Sequence, residues 1–305
     1  MASIDCYSST WKHDIVLERV RKSGVELAKQ IVRRTPLSPI IKKKFYYKYK
    51  TIVGERHPIQ NTETSEKYSL VRLGSEYGGW EFVDEEELYN STIISAGLGR
   101  DASFDIEFIQ KYDSDVIVID PTPQAVDHFK KIIQSLGDPK TRQYNQSGEQ
   151  PINAYELSNI DESQLSHIKK ALYNKQTEIE FYKPEIESHV SHSIINWQND
   201  YSNDSDYIEV QADTVTSVID NQNISEKDVP LIKLDIEGAE IEVIEQMIDY
   251  GFTPKQILVE FDELHNPSDK AFDRVDRAHN SLLKKGYELI HTDGIANFLY
   301  YREDN

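Results

Sequence analysis

The 305-residue chain has a single cysteine, Cys6, and no run of 18 or more apolar residues. A lone cysteine excludes an internal disulfide and offers neither a redox pair nor a cysteine-rich metal site. Without a long apolar run, no segment reads as a membrane-spanning helix. The opening stretch, MASIDCYSSTWKHD, lacks the apolar core of a secretory signal, so the expected compartment is the cytoplasm. Positive charge is scarce as well: 34 Lys/Arg stand against 53 Asp/Glu, a formal charge of −19. The deficit is uneven. Residues 1–50 carry 12 Lys/Arg and 4 Asp/Glu, a net +8, which leaves −27 for the remainder. A body this acidic repels phosphate backbones and argues against nucleic acid as a partner.

What is present divides into a basic lead and an α/β body. Residues 1–65 form a helical extension in which Val16, Val20, Leu27 and Ile31 fall near helical spacing and Pro36 marks a stop. Arg33, Arg34 and Lys42–Lys44 lie close to Phe45, Tyr46, Tyr47 and Tyr49. Such a segment either packs as a solvated helix or touches an anionic membrane surface, which at this address is the inner face. Residues 66–305 are long enough to bury a sizeable core.

In that body the pattern becomes strand, turn, helix. TIISAG is a buried strand, and Phe104, Phe108, Ile109 and Tyr112 keep helical register after it. DVIVIDPTP is a second strand, followed by a helix with Val126, Phe129 and Ile133 on one face and Gly137 at its end. Two apolar strands joined by an amphipathic helix make a βαβ unit with a parallel sheet. The stretch from 138 to 229 is less legible: SHIKKALYN is a candidate third strand, TEIEFYKP alternates like an edge strand, WQNDYSNDSDY reads as a polar loop, and DYIEVQADTVTSVI as a strand with a short helix. VPLIKLDIEGAEIEVIEQMIDYG is a strand and a helix with Ile241, Ile244 and Ile248 inward; KQILVEF is the next strand. Ser268 caps a further helix, Gly286 follows it, and YELIHTDGIANFLYYR closes the chain as a hairpin.

Ligands of open α/β sheets bind beyond the carboxyl ends of the strands. The first strand delivers Ser95, Gly97 and Gly99 there, where a nucleotide-binding turn would usually add a third glycine. Here Arg100, Asp101 and then Asp105 follow instead. The next strand delivers Asp120, 21 residues past Gly99 and suited to accept from two ribose hydroxyls, with Thr122 beside it. Asp101 and Asp105 would repel a pyrophosphate but favour the sulfonium and ammonium groups of S-adenosylmethionine. The expected ligand is therefore a cationic nucleoside.

A second cluster lies in KLDIEGAE and LVEFDELH. Asp235 ends a strand, Glu237 and Glu240 follow it, Glu260 ends the next strand, and His265 stands on the loop after it. Acids at a helix start are favoured by the helix dipole, which accounts for Glu237 and Glu240 without any catalytic role. Asp235, Glu237 and Glu260 could supply oxygens to a divalent ion, but such acids are common without one, and no metal is expected. An NAD-dependent oxidoreductase would share the βαβ unit and Asp120. A non-catalytic module would bind the cofactor without turnover, and a glycosyltransferase would need the acids of DSD at 204–206 as metal ligands.

SAGLGRDASFD followed by DPTP, KLDIEGAE and ILVEF together resemble the FkbM family of S-adenosylmethionine-dependent methyltransferases. LGSEYGGWEF, residues 73–82, is similar to the Gly-Gly-Trp lead-in of one branch, and the likeness covers about residues 70–302. It implies a Rossmann-like seven-stranded sheet with helices on both faces and a closing antiparallel hairpin. It also implies O-methylation of a small-molecule or glycan acceptor with a free hydroxyl. By the same resemblance Gly97, Gly99 and Asp101 line the methionine part of S-adenosyl-L-methionine, Asp120 the ribose, and Ala171 and Leu172 the adenine. Asp235 or Glu237 is then the expected base, with Glu260 and His265 on the acceptor side and Lys233 nearby; His189 and His192 read first as a surface loop, one that could also reach the site. Two residues depart from the pattern. Ser95 stands where many methyltransferases have an acid, and Asp262 where relatives often have His.

Overall fold

The computed structural model of the chain describes residues 55–182 and 207–303. The basic segment of residues 1–50, His189, His192 and the acidic run 204–206 lie outside the described residues. The chain divides into two compact units after Asn61. In the described part of the first, a short 3-10 turn spans Pro58–Asn61 and Arg56 Nη2 donates to the Gln60 carbonyl at 2.8 Å. Among the described residues, no helix is long and apolar enough to cross a membrane.

The second unit opens with an antiparallel hairpin of β1 (Leu70–Leu73) and β2 (Trp80–Val83). Then come β3 (Thr92–Ala96), α1 (Ser103–Tyr112), β4 (Asp115–Ile119), α2 (Pro123–Gln134) and β5 (Leu165–Ile168). A separate set follows: β6 (Ala171–Leu172), β7 (Thr177–Tyr182) and β8 (Tyr207–Asp213). The remainder runs α3 (Val215–Gln222), β9 (Leu231–Leu234), α4 (Glu240–Tyr250), β10 (Gln256–Glu260), α5 (Asp269–Lys284), β11 (Glu288–Thr292) and β12 (Asn297–Tyr301).

Seven strands form the main sheet in the order β11-β12-β10-β9-β3-β4-β5. β5, β4, β3, β9 and β10 are parallel, and β12 runs antiparallel to both of its neighbours, closing the sheet as the expected hairpin. The interior strands read as unbroken apolar runs because both of their faces are covered; Ile93, Ile94, Ile232, Leu234, Leu258 and Val259 are fully buried. Strand order reverses between β3 and β9, so a crevice opens past Ala96 and Leu234.

The helices begin and end where their sequences dictate. Thr122 and Ser268 cap α2 and α5 by accepting the N–H of Ala125 and Ala271, and Gly251 ends α4 at φ +101°. Along α2 the buried face is one residue off the expected one. Ala125, His128 and Ile132 are buried, while Val126, Phe129 and Ile133 are half-buried beside them. His128 is accommodated because its Nε2 pairs with the Tyr155 hydroxyl at 2.8 Å, and that hydroxyl accepts the N–H of Ala102 at 3.0 Å. SHIKKALYN holds two strands that join different sheets: β5 extends the main sheet, and β6 pairs with β8, whose other edge carries β7.

Candidate active site

A cavity of about 740 Å³ occupies the crevice at the β3–β9 reversal. One wall is the turn after β3, from Gly97 to Asp101, continued by the end of β4 from Ile119 to Thr122. Opposite stand Lys233, Asp235, Ile236 and Glu237 after β9. Ala171, Leu172 and Phe181 of the three-stranded sheet supply an apolar end, and Tyr77, Gly78 and the 146–149 loop form the rim.

Backbone crowding explains the first glycine. Gly97 has φ +87°, and a Cβ there would overlap the carbonyl oxygen of Asp235 on the neighbouring strand. Gly99 at φ +54° faces open space. Asp120 then fixes this turn. Its Oδ2 accepts the N–H of Leu98 at 3.0 Å and of Gly99 at 2.9 Å, and its Oδ1 accepts the N–H and hydroxyl of Thr122 at 2.8 and 2.7 Å. A carboxylate has about four acceptor positions, so Asp120 is fully subscribed within the protein. Thr122 Oγ1 is the one donor among these that can rotate away.

Asp101 is also engaged. It accepts the Ser75 hydroxyl at 2.6 Å, Gln150 Nε2 at 3.0 Å and the N–H of Ser103 at 2.9 Å. It therefore ties the loop between β1 and β2, and the 146–150 segment, to the turn, while still forming part of the cavity wall. Asp105 and Ser95 do not line the cavity. Both are buried behind it; neither Ser95 Oγ nor Asp105 Oδ1 has a hydrogen-bond partner among the described residues. Burial raises the Asp105 carboxyl above the usual range, against the pull of the Lys233 charge.

Lys233 is an ammonium in the middle of a parallel sheet. It is 4% exposed and donates to the Gly97 carbonyl at 2.5 Å, with Asp235 Oδ2 at 3.7 Å. Burial, and next the charge of Glu260, raise the Asp235 carboxyl well above its ordinary value. Burial also works against the charge of Glu260, but hydrogen bonding from His265 and Asp235 outweighs it and holds that carboxyl low. The adjacent Asp235 and Glu260 carboxyls are thus shifted in opposite directions. Glu260 Oε1 lies 2.8 Å from His265 Nε2, and this contact raises the imidazole above its usual value. Glu237 lines the cavity with φ +59°, a left-handed backbone that a non-glycine residue adopts at a cost. Glu240 points away from the cavity and accepts the N–H of Ile236 and Gly238 at 2.8 and 2.9 Å, holding the turn that carries Asp235 and Glu237.

The structure thus gathers Gly97, Gly99, Asp101, Asp120, Thr122, Ala171, Leu172, Asp235 and Glu237 around one cavity. Glu260 and His265 stand behind Asp235, outside the cavity wall. Sequence spacing gave no signal for Tyr77, Phe181 or the 146–149 loop, which arrive from distant elements. Tyr77 is exposed at the rim of the cavity.

These observations bear on which nucleoside ligand fits. The N–H groups of Leu98 and Gly99, which a pyrophosphate would need, are spent on Asp120. Asp101, Glu149, Asp235 and Glu237 all bound the cavity, against Arg100 and Lys233, and Arg100 is itself paired with Glu149 at 3.1 Å. An acid-lined crevice of this size at the switch point suits a compact cationic nucleoside better than a dinucleotide.

Fold and crevice define a Rossmann-like α/β methyltransferase. Residues 82–289 match the methyltransferase FkbM domain, and the chain belongs to that family. No curated protein matches the sequence. Among solved structures, precorrin-6y C5,15-methyltransferase from Geobacter metallireducens aligns at 8% identity over 79% of this chain and 98% of that one, TM-score 0.34. The Methanococcus jannaschii fibrillarin pre-rRNA processing protein aligns at 9% identity over 82% and 88%, TM-score 0.32. An antibiotic-resistance methyltransferase, Kmr, aligns at 12% identity over 77% and 100%, TM-score 0.29.

Proposed function

We propose that the protein transfers a methyl group from S-adenosyl-L-methionine to a hydroxyl oxygen of a sugar, glycan or other small natural product. The observation that carries this reading is Asp235, at the carboxyl end of β9, on the wall of the crevice and backed by a second carboxyl. When bound, S-adenosylmethionine supplies an electrophilic methyl group on a sulfonium.

The chain's own residues do the rest. Gly97 and Gly99 let the backbone approach the methionine portion, Asp101 and Lys233 hold the turn around it, and Thr122 and Asp120 meet the ribose as Thr122 Oγ1 turns away. Ala171 and Leu172, with Phe181, form the apolar seat for the adenine. Ser95 and Asp105 lie behind the turn and do not reach the cofactor seat. The work of the site is positioning an oxygen in line with the methyl group. An alcohol must also lose its proton as the bond forms. Asp235 accepts that proton at a carboxylate oxygen, Glu260 shares its charge, and Glu237 orients the acceptor. The competing oxidoreductase reading requires a pyrophosphate on a turn whose N–H groups are already taken.

The +8 charge of residues 1–50 supports peripheral contact with an anionic membrane, and a lipid-linked glycan then fits as acceptor. Co-flotation with anionic vesicles that persists in full for Lys42→Glu/Lys43→Glu/Lys44→Glu would retire that part.

The reaction itself is tested by methyl transfer from labelled S-adenosylmethionine to a panel of hydroxylated acceptors. Wild type is expected to give an O-methyl ether, and Asp235→Asn to lower turnover about 10²–10⁴-fold with the fold intact. Full turnover by Asp235→Asn would refute the assignment of the base.

A further inference from the structure

The turn that leaves β10 gathers three side chains of metal-ligand type outside the cavity. Glu260 is the last residue of the strand, Asp262 opens a 3-10 turn that ends at Leu264, and His265 follows it. The turn is tight, with the N–H of His265 donating to the Asp262 carbonyl at 3.0 Å. It brings residues i, i+2 and i+5 together, so that one ligand atom from each lies within 4.8 Å of the other two. Ligand atoms around a first-row divalent ion at about 2.1 Å stand roughly 3–4 Å apart, so small side-chain rotations close the set.

Asp262 is the informative member. It is 7% exposed, and its carboxylate accepts no hydrogen bond from any described residue. Its oxygens are not among the buried atoms cut off from solvent, so an ion can approach them. Arg274, a basic residue that reaches this turn, is committed to Glu263 at 2.9 Å and Glu242 at 2.8 Å.

We propose that Glu260, Asp262 and His265 form a divalent transition-metal site. Two carboxylate oxygens and one imidazole nitrogen suit Mn²⁺ or Zn²⁺ better than Mg²⁺ or Ca²⁺, which prefer all-oxygen shells. Three protein ligands leave coordination positions open. Val259 pairs with Leu234, so Glu260 stands level with Asp235 across adjacent parallel strands.

The test is metal binding by the full chain, read without turnover. After dialysis against chelator, Mn²⁺ is titrated and free ion followed by electron paramagnetic resonance, with Zn²⁺ followed by calorimetry. One ion per chain is expected, weakened at least tenfold by His265→Ala and by Asp262→Asn. His265 is exposed, so its variant should fold. Asp262→Asn should lose the metal-induced rise in melting temperature. No saturable binding of either ion by wild type, or binding unchanged in both variants, would overturn the proposal. S-adenosylhomocysteine binding measured on the same samples separates this failure from failure of the methyltransferase reading.

Discussion

Asp120 accepts the N–H of Gly99 at 2.9 Å and so joins the end of the second parallel strand to the turn after the first. The same oxygen takes the N–H of Leu98. The residue expected to meet a ribose is thus also the clamp that shapes the turn beneath it. Asp120→Ala should lower stability by about 1–3 kcal/mol by leaving buried donors unpaired. It should also weaken S-adenosylhomocysteine binding at least tenfold. Thermal melting and calorimetry on the same preparation check both; loss of affinity without loss of stability would mean that the clamp is not structural.

Gly97 and Gly99 should respond differently to the same change. Ala at 97 must hold φ +87° and collide with the Asp235 carbonyl, which no rotamer relieves. Gly97→Ala is expected to abolish cofactor binding and unfold readily. Gly99→Ala meets no neighbour and should cost only the left-handed backbone term, about 1–2 kcal/mol. Equal melting temperatures for the two variants would contradict this account of the turn.

Glu237 keeps a left-handed backbone at φ +59°, beside Gly238 at +105°. If the strain serves to aim its carboxylate, Glu237→Gly should melt at or above wild type while methyl transfer falls at least tenfold. An active, unstrained variant would assign Glu237 to the helix start alone.

Burial lowers the His128 imidazole to about 4, with the Asp101 charge opposing the shift and Lys131 adding to it. The folded value lies below the unfolded one, so the unfolded chain takes up the proton first as pH falls. Stability is therefore complete above about 6.5 and is lost between about 6.5 and 4, at up to about 1.4 kcal/mol per pH unit. Urea unfolding across that range should show a steeper fall for wild type than for His128→Gln. Parallel pH dependences would contradict the buried neutral imidazole.

Much of the sheet was legible because its interior strands are unbroken apolar runs bounded by Gly, Pro or Asp. The parallel βαβ strands and the closing hairpin match that reading, and the count of seven matches what the family resemblance implied. Legibility failed where polar residues are buried by a distant partner. His128 carries no local sign that Tyr155 will meet it, so the buried face of α2 was read one residue off. The engagement of Asp101 by Ser75 and Gln150 depends on loops that are remote in sequence. Ala171 and Leu172 sit in a two-residue strand that joins a separate sheet, and no periodicity could show that. The Glu260, Asp262, His265 spacing was visible in LVEFDELH, but only the tight turn makes it a cluster.

The most direct test of the account is calorimetric titration of the full chain with S-adenosylhomocysteine and with NAD. The acid-lined crevice and the turn held by Asp120 predict one S-adenosylhomocysteine bound per chain, lost in Gly97→Ala, and no heat with NAD. Binding of NAD, or of neither ligand, would contradict it.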